Sequence, residues 1–208
     1  MENNLGKIYS SIAITPALSS ENVISYIRNI ESIQNNSFNI EFLIIRNKSL
    51  NKKEYKEFAK KILSSLESEL SCLLHFDSLD FFVEMEDVIS ENLGIHFTSS
   101  LLKEIDKDIL LRHIENKKIF GGSCHNEKEI TLAEELGLKY CLFGPVKDKC
   151  IDGKLITKGI GWDKFSNLAQ KSSTKVFAIG GLNSEDFETA YKNYASGVAG
   201  ISMFYQSS

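Results

Sequence analysis

The chain has 208 residues, 42% hydrophobic and 25% charged, with a net charge of −4. That length suits one domain with a sizeable core over residues 1–208, and the acidic balance argues against a nucleic-acid surface or an anionic membrane as partner. No apolar run approaches the roughly 18 residues of a spanning helix, and MENNLGK lacks the apolar stretch of a secretion signal, so a cytoplasmic location is expected. Cys72, Cys124, Cys141 and Cys150 form no C-x-x-C pair, which favours reduced thiols over a metal site.

In chain order, short apolar runs alternate with helical periodicity. Ile8–Thr15 reads as a strand, and Ser20 as the N-cap of a helix to Ile33. IEFLIIR (Ile40–Arg46) reads as a buried strand. Lys52–Leu70 follows as an amphipathic helix, with Tyr55, Phe58, Ala59, Ile62, Leu63 and Leu66 at helical spacing. Cys72–Phe76 is a short strand, Leu79–Ile89 a helix, and Leu93–Phe97 a strand followed by a brief helical turn. Lys117–Ser123 is a strand. Asn126 then caps a helix, with Glu129 at its third position and Gly137 at its end. Lys139–Phe143 is a strand, and KDKCIDGKLITKG after it reads as a mobile lid or an ordinary exposed loop. Trp162–Lys171 is a helix, Lys175–Ile179 a strand, Ser184–Tyr191 a helix and Gly197–Met203 the last strand.

Eight strands separated by helices imply a parallel sheet, and their spacing fits a compact (β/α)8 barrel, with an open doubly wound sheet as the alternative. The barrel is preferred because polar or glycine residues end nearly every strand: Arg46, His75, His96, Ser123, Gly144, Gly180 and Gly200. Closure would bring them to one face.

Three stretches at those strand ends carry chemistry. In GGSCHN, Gly121 and Gly122 would let the strand end approach a ligand, and His125 sits just before a helix; it reads as a proton-transfer residue or as a surface loop histidine. In FAIGGLNSEDF, Gly180 and Gly181 bare backbone N–H groups before a helix start. Gly200, Ile201 and Ser202 end the neighbouring strand, so the five suit a phosphate, although a Gly-Gly pair also makes a plain tight turn. Arg46 and Lys48 could meet a phosphorylated ligand or stand as solvated charges, while Gly144 and Pro145 shape the exit from the sixth strand.

These stretches resemble the thiamine-phosphate synthase/TenI superfamily of small barrels over essentially the whole chain. The resemblance is carried by GGSCHNEKEITLAEELGLKYCLFGPV and VFAIGGLNSEDFETAYKNYASGVAGIS, and more weakly by IAITP, FLIIRNKSL and LGIHFTS. The C-terminal half is most similar to the synthase-like domain that some bacteria carry fused behind a Nudix (MutT-type) hydrolase, through GGSCHN and GIGW; this sequence has no Nudix segment.

The resemblance implies one of two reactions. Synthases of the superfamily join a pyrimidine diphosphate to a thiazole phosphate, with Mg²⁺ on the pyrophosphate. TenI proteins isomerise a thiazole phosphate carboxylate, using a histidine after the fifth strand. Arg46 and Lys48 match the Arg and Lys of the family's Gln-x-Arg-x-Lys, but Ile44 stands at the Gln. The family's Asn-Asp pair falls near His75 and Phe76, so its metal-binding carboxylate is missing unless Asp77 substitutes. Its Gln-Glu-Asp falls near Ser99–Leu101, and its Thr-x-Thr-Lys lid has become Lys147–Cys150. Gly180, Gly181, Gly200, Ile201 and Ser202 match the thiazole-phosphate site, and His125 matches the TenI histidine. Without metal on the pyrophosphate a synthase forfeits on the order of several kcal/mol of electrostatic stabilisation.

The expectation is therefore a TenI-like isomerase. His125 would be catalytic, Gly180, Gly181, Gly200, Ile201 and Ser202 would hold the phosphate, and Arg46, Lys48, His75, Ser123, Gly144 and Pro145 would contact substrate. The expected partner is a small phosphorylated heterocycle, not nucleic acid or membrane, and a homo-oligomer is left open. No cofactor is expected, with Mg²⁺ entering only in the synthase alternative. A second alternative is a non-catalytic barrel that binds the phosphorylated ligand.

Overall fold

A computed structural model describes residues 9–36, 39–67, 69–76, 93–108, 110, 119–151 and 154–205. The expected helix Leu79–Ile89 and the carboxylate of Asp77 lie outside those residues. The described strands and helices run β1 (Ser10–Ile14), α1 (Val23–Asn36), β2 (Asn39–Ile45), α2 (Lys52–Ser65), β3 (Cys72–Phe76), β4 (Leu93–Phe97), α3 (Ser99–Glu104), β5 (Phe120–Cys124), α4 (Glu127–Glu135), β6 (Tyr140–Phe143), β7 (Lys149–Ile151), β8 (Lys154–Thr157), α5 (Trp162–Ala169), β9 (Lys175–Ile179), α6 (Phe187–Lys192) and β10 (Gly197–Gly200).

Eight of the strands close a parallel barrel in the order β1-β10-β9-β6-β5-β4-β3-β2. The closed ring decides for the barrel over the open sheet. Alternate residues of each strand point inward, a consequence of the two-residue period. Ile12 and Ile14, Ile44, Leu73, Tyr140 and Leu142, Phe177 and Ala199 pack together as the interior layer, with Phe42, Ile119 and Ile179 against them. The intervening residues face the helices. On α2, for example, Tyr55, Phe58, Ala59 and Ile62 are the buried stripe, and an Asn51–Glu54 capping box starts the helix.

Element bounds shift by a few residues throughout, and three departures from expectation are larger. The helix expected over Lys52–Leu70 ends at Ser65, where the hydroxyls of Ser64 and Ser65 both donate to the Lys61 carbonyl and Leu66 turns extended. The segment read as a lid or plain loop forms an antiparallel hairpin, β7–β8, separate from the barrel sheet. Asp148 Oδ1 accepts from the Gly159 N–H at 2.6 Å, and the N–H groups of Ile160 and Gly161 bond the Pro145 and Val146 carbonyls. Lastly, the strand expected to reach Met203 stops at Gly200, and a 3-10 turn covers Ser202–Phe204.

Candidate functional site

Carried past the strand ends, the inward register places Arg46, His75, Thr98, Ser123, His125 and Ile201 above the apolar layer. Together with residues from the start of α2 and α3 they line a cavity of about 920 Å³ at the C-terminal end of the barrel. Its floor includes Ile14, Ile44, Leu142 and Ile179. Among the described residues its lining carries the cations Arg46, Lys48 and Lys52 but no carboxylate. Among the described residues, this acidic protein thus gathers positive charge at one mouth, which suits an anionic ligand.

One wall is the end of β2. Thr15 fixes it, its hydroxyl donating to the Arg46 carbonyl at 2.6 Å and accepting from the Arg46 N–H at 2.8 Å. Burial pulls the Arg46 guanidinium below its ordinary pKa. Lys52 opens α2, one residue after the cap.

The floor is a stack of rings. His96, 1% exposed, lies between His75 (centroids 5.8 Å apart) and Tyr140 (5.7 Å). Its Nδ1 is 2.9 Å from Tyr140 Oη and its Nε2 is 2.9 Å from Ser123 Oγ. Burial, then the positive fields of His75 and Arg46, push the His96 pKa well below its ordinary value. Gly121 has a different use from the one expected. A Cβ there would fall 2.2 Å from the Tyr140 ring, so the missing side chain makes room for tyrosine, not ligand.

At the rim, His125 precedes α4, which Asn126 caps by accepting from the Glu129 N–H at 3.1 Å. The Glu129 carboxylate turns back to His125. Its Oε2 accepts from the His125 backbone N–H at 2.7 Å and lies 3.2 Å from the ring Nδ1; its Oε1 pairs with Lys103 Nζ at 2.7 Å. Desolvation raises the Glu129 pKa, but the hydrogen bonds from Lys103 and His125 outweigh it and the net direction is down. His125 keeps 54% of its side chain exposed.

The expected phosphate residues lie at the ends of β9 and β10. Along the register of β10 and β9, Ala199 pairs with Ile179, so the next positions, Gly200 and Gly180, are level. Gly180 and Gly181 take φ values of +99° and +70°, where glycine is favoured, and Pro145 and Lys147 pack directly over them. Lys147 Nζ also pairs with the buried Asp186 at 2.6 Å, tying the loop after β6 to the turn after β9. Of the predicted residues, Arg46, Lys48, His75, Ser123, His125 and Ile201 line the cavity; Gly144, Pro145, Gly180, Gly181, Gly200 and Ser202 form the loops beside it.

Sequence reasoning left out Lys52, Tyr55, Thr98 and His96 as site residues. The capping box at Asn51 was a usable signal for the first two, since it puts the start of α2 at a strand's C-terminal end. For a divalent ion, the described lining offers imidazoles, hydroxyls, the amides of Asn47 and Asn51 and cations, and no group of three His, Cys, Asp or Glu gathers among the described residues. Without a carboxylate, and with three cations nearby, that described donor set fits Mg²⁺ poorly, since the ion is commonly held by carboxylates.

A closed parallel barrel with a cavity at its C-terminal face, lined among the described residues by cations, defines the class: a small α/β barrel. The particular lineage follows from comparison. The profile of the thiamine monophosphate synthase family matches residues 14–204, and the chain belongs to that family. It is 28% identical over 165 residues to the thiamine-phosphate synthase of Methanococcus vannielii, covering 76% of this chain and 71% of that protein. Over 85 residues it is 36% identical to the enzyme of that name from Methanosarcina barkeri, covering 41% and 38%. Among solved structures, a thiamine phosphate pyrophosphorylase from Pyrococcus furiosus superposes with a TM-score of 0.66 at 19% identity, covering 95% of this chain and 89% of that one, which shows a shared fold. Among the described residues no helix is long and apolar enough to cross a membrane.

Proposed function

We propose that the chain binds a phosphorylated thiazole and moves a proton between two positions of its ring, as a TenI-like thiazole phosphate tautomerase, with His125 as the proton-transfer residue. The observation that supports this most is the rim. Glu129 faces Nδ1 of His125, so Nε2 is the ring atom left for a ligand in the cavity. A neutral imidazole with a carboxylate on Nδ1 can take a proton at Nε2 and return it to another position, with no change in oxidation state. The backbone N–H groups of Gly180, Gly181, Gly200, Ile201 and Ser202 would meet the phosphate. Arg46, Lys48, His75 and Ser123 would face the rest of the ligand, with Gly144 and Pro145 holding the loop behind. On this reading the protein works in the cytoplasm on a small molecule and has no resident metal.

A second reading, synthase activity, is favoured by the names of the relatives. It needs a pyrophosphate-bound metal, and the cation-rich described lining weighs against that. The test is His125→Asn, which keeps polarity but cannot titrate. The variant should bind the thiazole phosphate nearly as well as wild type while its isomerisation falls roughly 10²–10⁴-fold. Equal turnover in both proteins removes His125 from the chemistry. A wild type that binds the thiazole phosphate without turning it over is the non-catalytic barrel, and one that does not bind it at all defeats the proposal.

A further inference from the structure

The proposed reaction gives Tyr140 and His96 no role, although they form a hydrogen-bonded chain with Ser123, and the direction of that chain follows from its closed end. Tyr140 is completely buried: its ring stacks on Phe42 at 5.2 Å, meets the edge of Phe177 at 5.9 Å and lies against His96. Among the described residues its hydroxyl has one hydrogen-bond partner, His96 Nδ1. A buried O–H with no acceptor pays the full desolvation cost, whereas an O–H donating to an imidazole nitrogen does not. Tyr140 therefore donates to Nδ1. Burial also keeps the phenol protonated, raising its pKa well above the ordinary value.

A neutral imidazole carries one N–H. With Nδ1 accepting, the hydrogen is on Nε2, and Nε2–H donates to Ser123 Oγ. His96 takes no second proton, because burial and its neighbours His75 and Arg46 oppose the charge. Ser123 lines the cavity and already accepts from below. Its own hydrogen is left for the cavity.

We infer that Ser123 is a dedicated hydrogen-bond donor to the bound ligand, set in that role by Tyr140 and His96 acting as positioning residues. The site then favours a ligand that presents an acceptor over Ser123, such as a carboxylate oxygen or an unprotonated ring nitrogen, over one that presents only N–H or O–H. With the opposite tautomer Ser123 would spend its hydrogen on Nε2 and could only accept. The choice of thiazole phosphate as probe rests on the proposed function; the direction of the chain does not.

The decisive measurement is therefore made without ligand. Long-range ¹H–¹⁵N spectra of the intact protein report which nitrogen of each histidine carries hydrogen. Variants at His75, His113 and His125 assign the other three rings, so His96 itself is left untouched. His96 should show hydrogen on Nε2 only, unchanged between about pH 5 and 8. Hydrogen on Nδ1, or a ring that titrates in that range, overturns the inference. With thiazole phosphate as probe, Ser123→Ala should weaken binding roughly 10-fold, the expected loss of one hydrogen bond to a charged or strongly polar acceptor. An unchanged Kd overturns the donor role even if the tautomer is as expected. If wild type does not bind the probe, the proposed function fails, and the tautomer alone decides this inference.

Discussion

Rim and floor of the cavity each hold a histidine, under opposite conditions. His125 at the rim is half exposed, and a carboxylate that also serves its backbone holds it. His96 on the floor is buried, and two neutral hydroxyls clamp it. On the proposed function, the difference would let one barrel separate two jobs. A ring that must gain and lose a proton needs solvent contact and a counter-charge. A ring that must fix the direction of a hydrogen bond needs neither, and burial stops it from changing state. Substitutions on the floor should therefore cost stability, and those at the rim should cost turnover.

The largest stability effect is expected from Gly121→Ala. The new methyl would lie 2.2 Å from the Tyr140 ring, which is fully buried and packed against Phe42 and Phe177. Overpacking of this kind typically costs about 1–3 kcal/mol. Denaturant unfolding should show it, and the His96 imidazole signals should shift as Tyr140 is displaced. A stability within about 0.5 kcal/mol of wild type, the range of a surface change, would mean that the floor is softer than the contacts imply.

Next comes the acid dependence of the floor. The folded pKa of His96 lies below its unfolded value, so the unfolded chain takes a proton that the folded chain refuses. Stability contributed by neutral His96 is then complete above the unfolded pKa of about 6.5 and is lost as pH falls below it, at up to ~1.4 kcal/mol per pH unit. Melting temperatures from pH 8 to 5 should fall faster for wild type than for His96→Gln. Parallel curves would show that His96 protonates as readily folded as unfolded, and the contrast with His125 would collapse.

The period-two alternation made much of this site legible. Phe42, Ile44 and Arg46, or Leu73 and His75, run straight from interior layer to cavity, so a polar strand end on the right parity could be read as cavity-lining before any fold was known. His125 follows Gly121 and Ser123 on the same parity. His96 was visible only as a polar strand end, because LGIHF otherwise reads as core, and its phenol partner is 44 residues away. Glu129 looked like a helix-capping carboxylate. Its second face, toward the His125 ring, depends on how the chain enters α4, which spacing does not reveal. Gly121 was misread because a strand glycine can admit a ligand or a neighbouring side chain, and only the register Gly121↔Tyr140 decides between them. The hairpin β7–β8 went unread although Asp152-Gly153 between two β-prone runs was its sequence signal.

The smallest effect is expected from Glu129→Gln, which sharpens the rim. In wild type the Oε2 atom serves His125 and the Oε1 atom serves Lys103. A glutamine that keeps its oxygen toward His125 must turn its NH₂ toward the ammonium of Lys103, so the pair with Lys103 is what is lost. Lys103 is more than half exposed, and such a pair contributes less than about 1 kcal/mol. The sign with pH is fixed by the downward shift of Glu129. Its contribution is complete above the unfolded carboxylate pKa of about 4.3 and is lost as pH falls through the lower folded value, so wild-type and variant stabilities should converge in acid. Turnover gives the second readout. If Glu129 merely caps α4, the variant's rate should follow its small loss of stability and its pH–rate profile should keep its shape. If the carboxylate holds and balances the His125 ring, the rate falls further than stability does and the pH–rate profile moves, because a neutral amide stabilises imidazolium less than a carboxylate does.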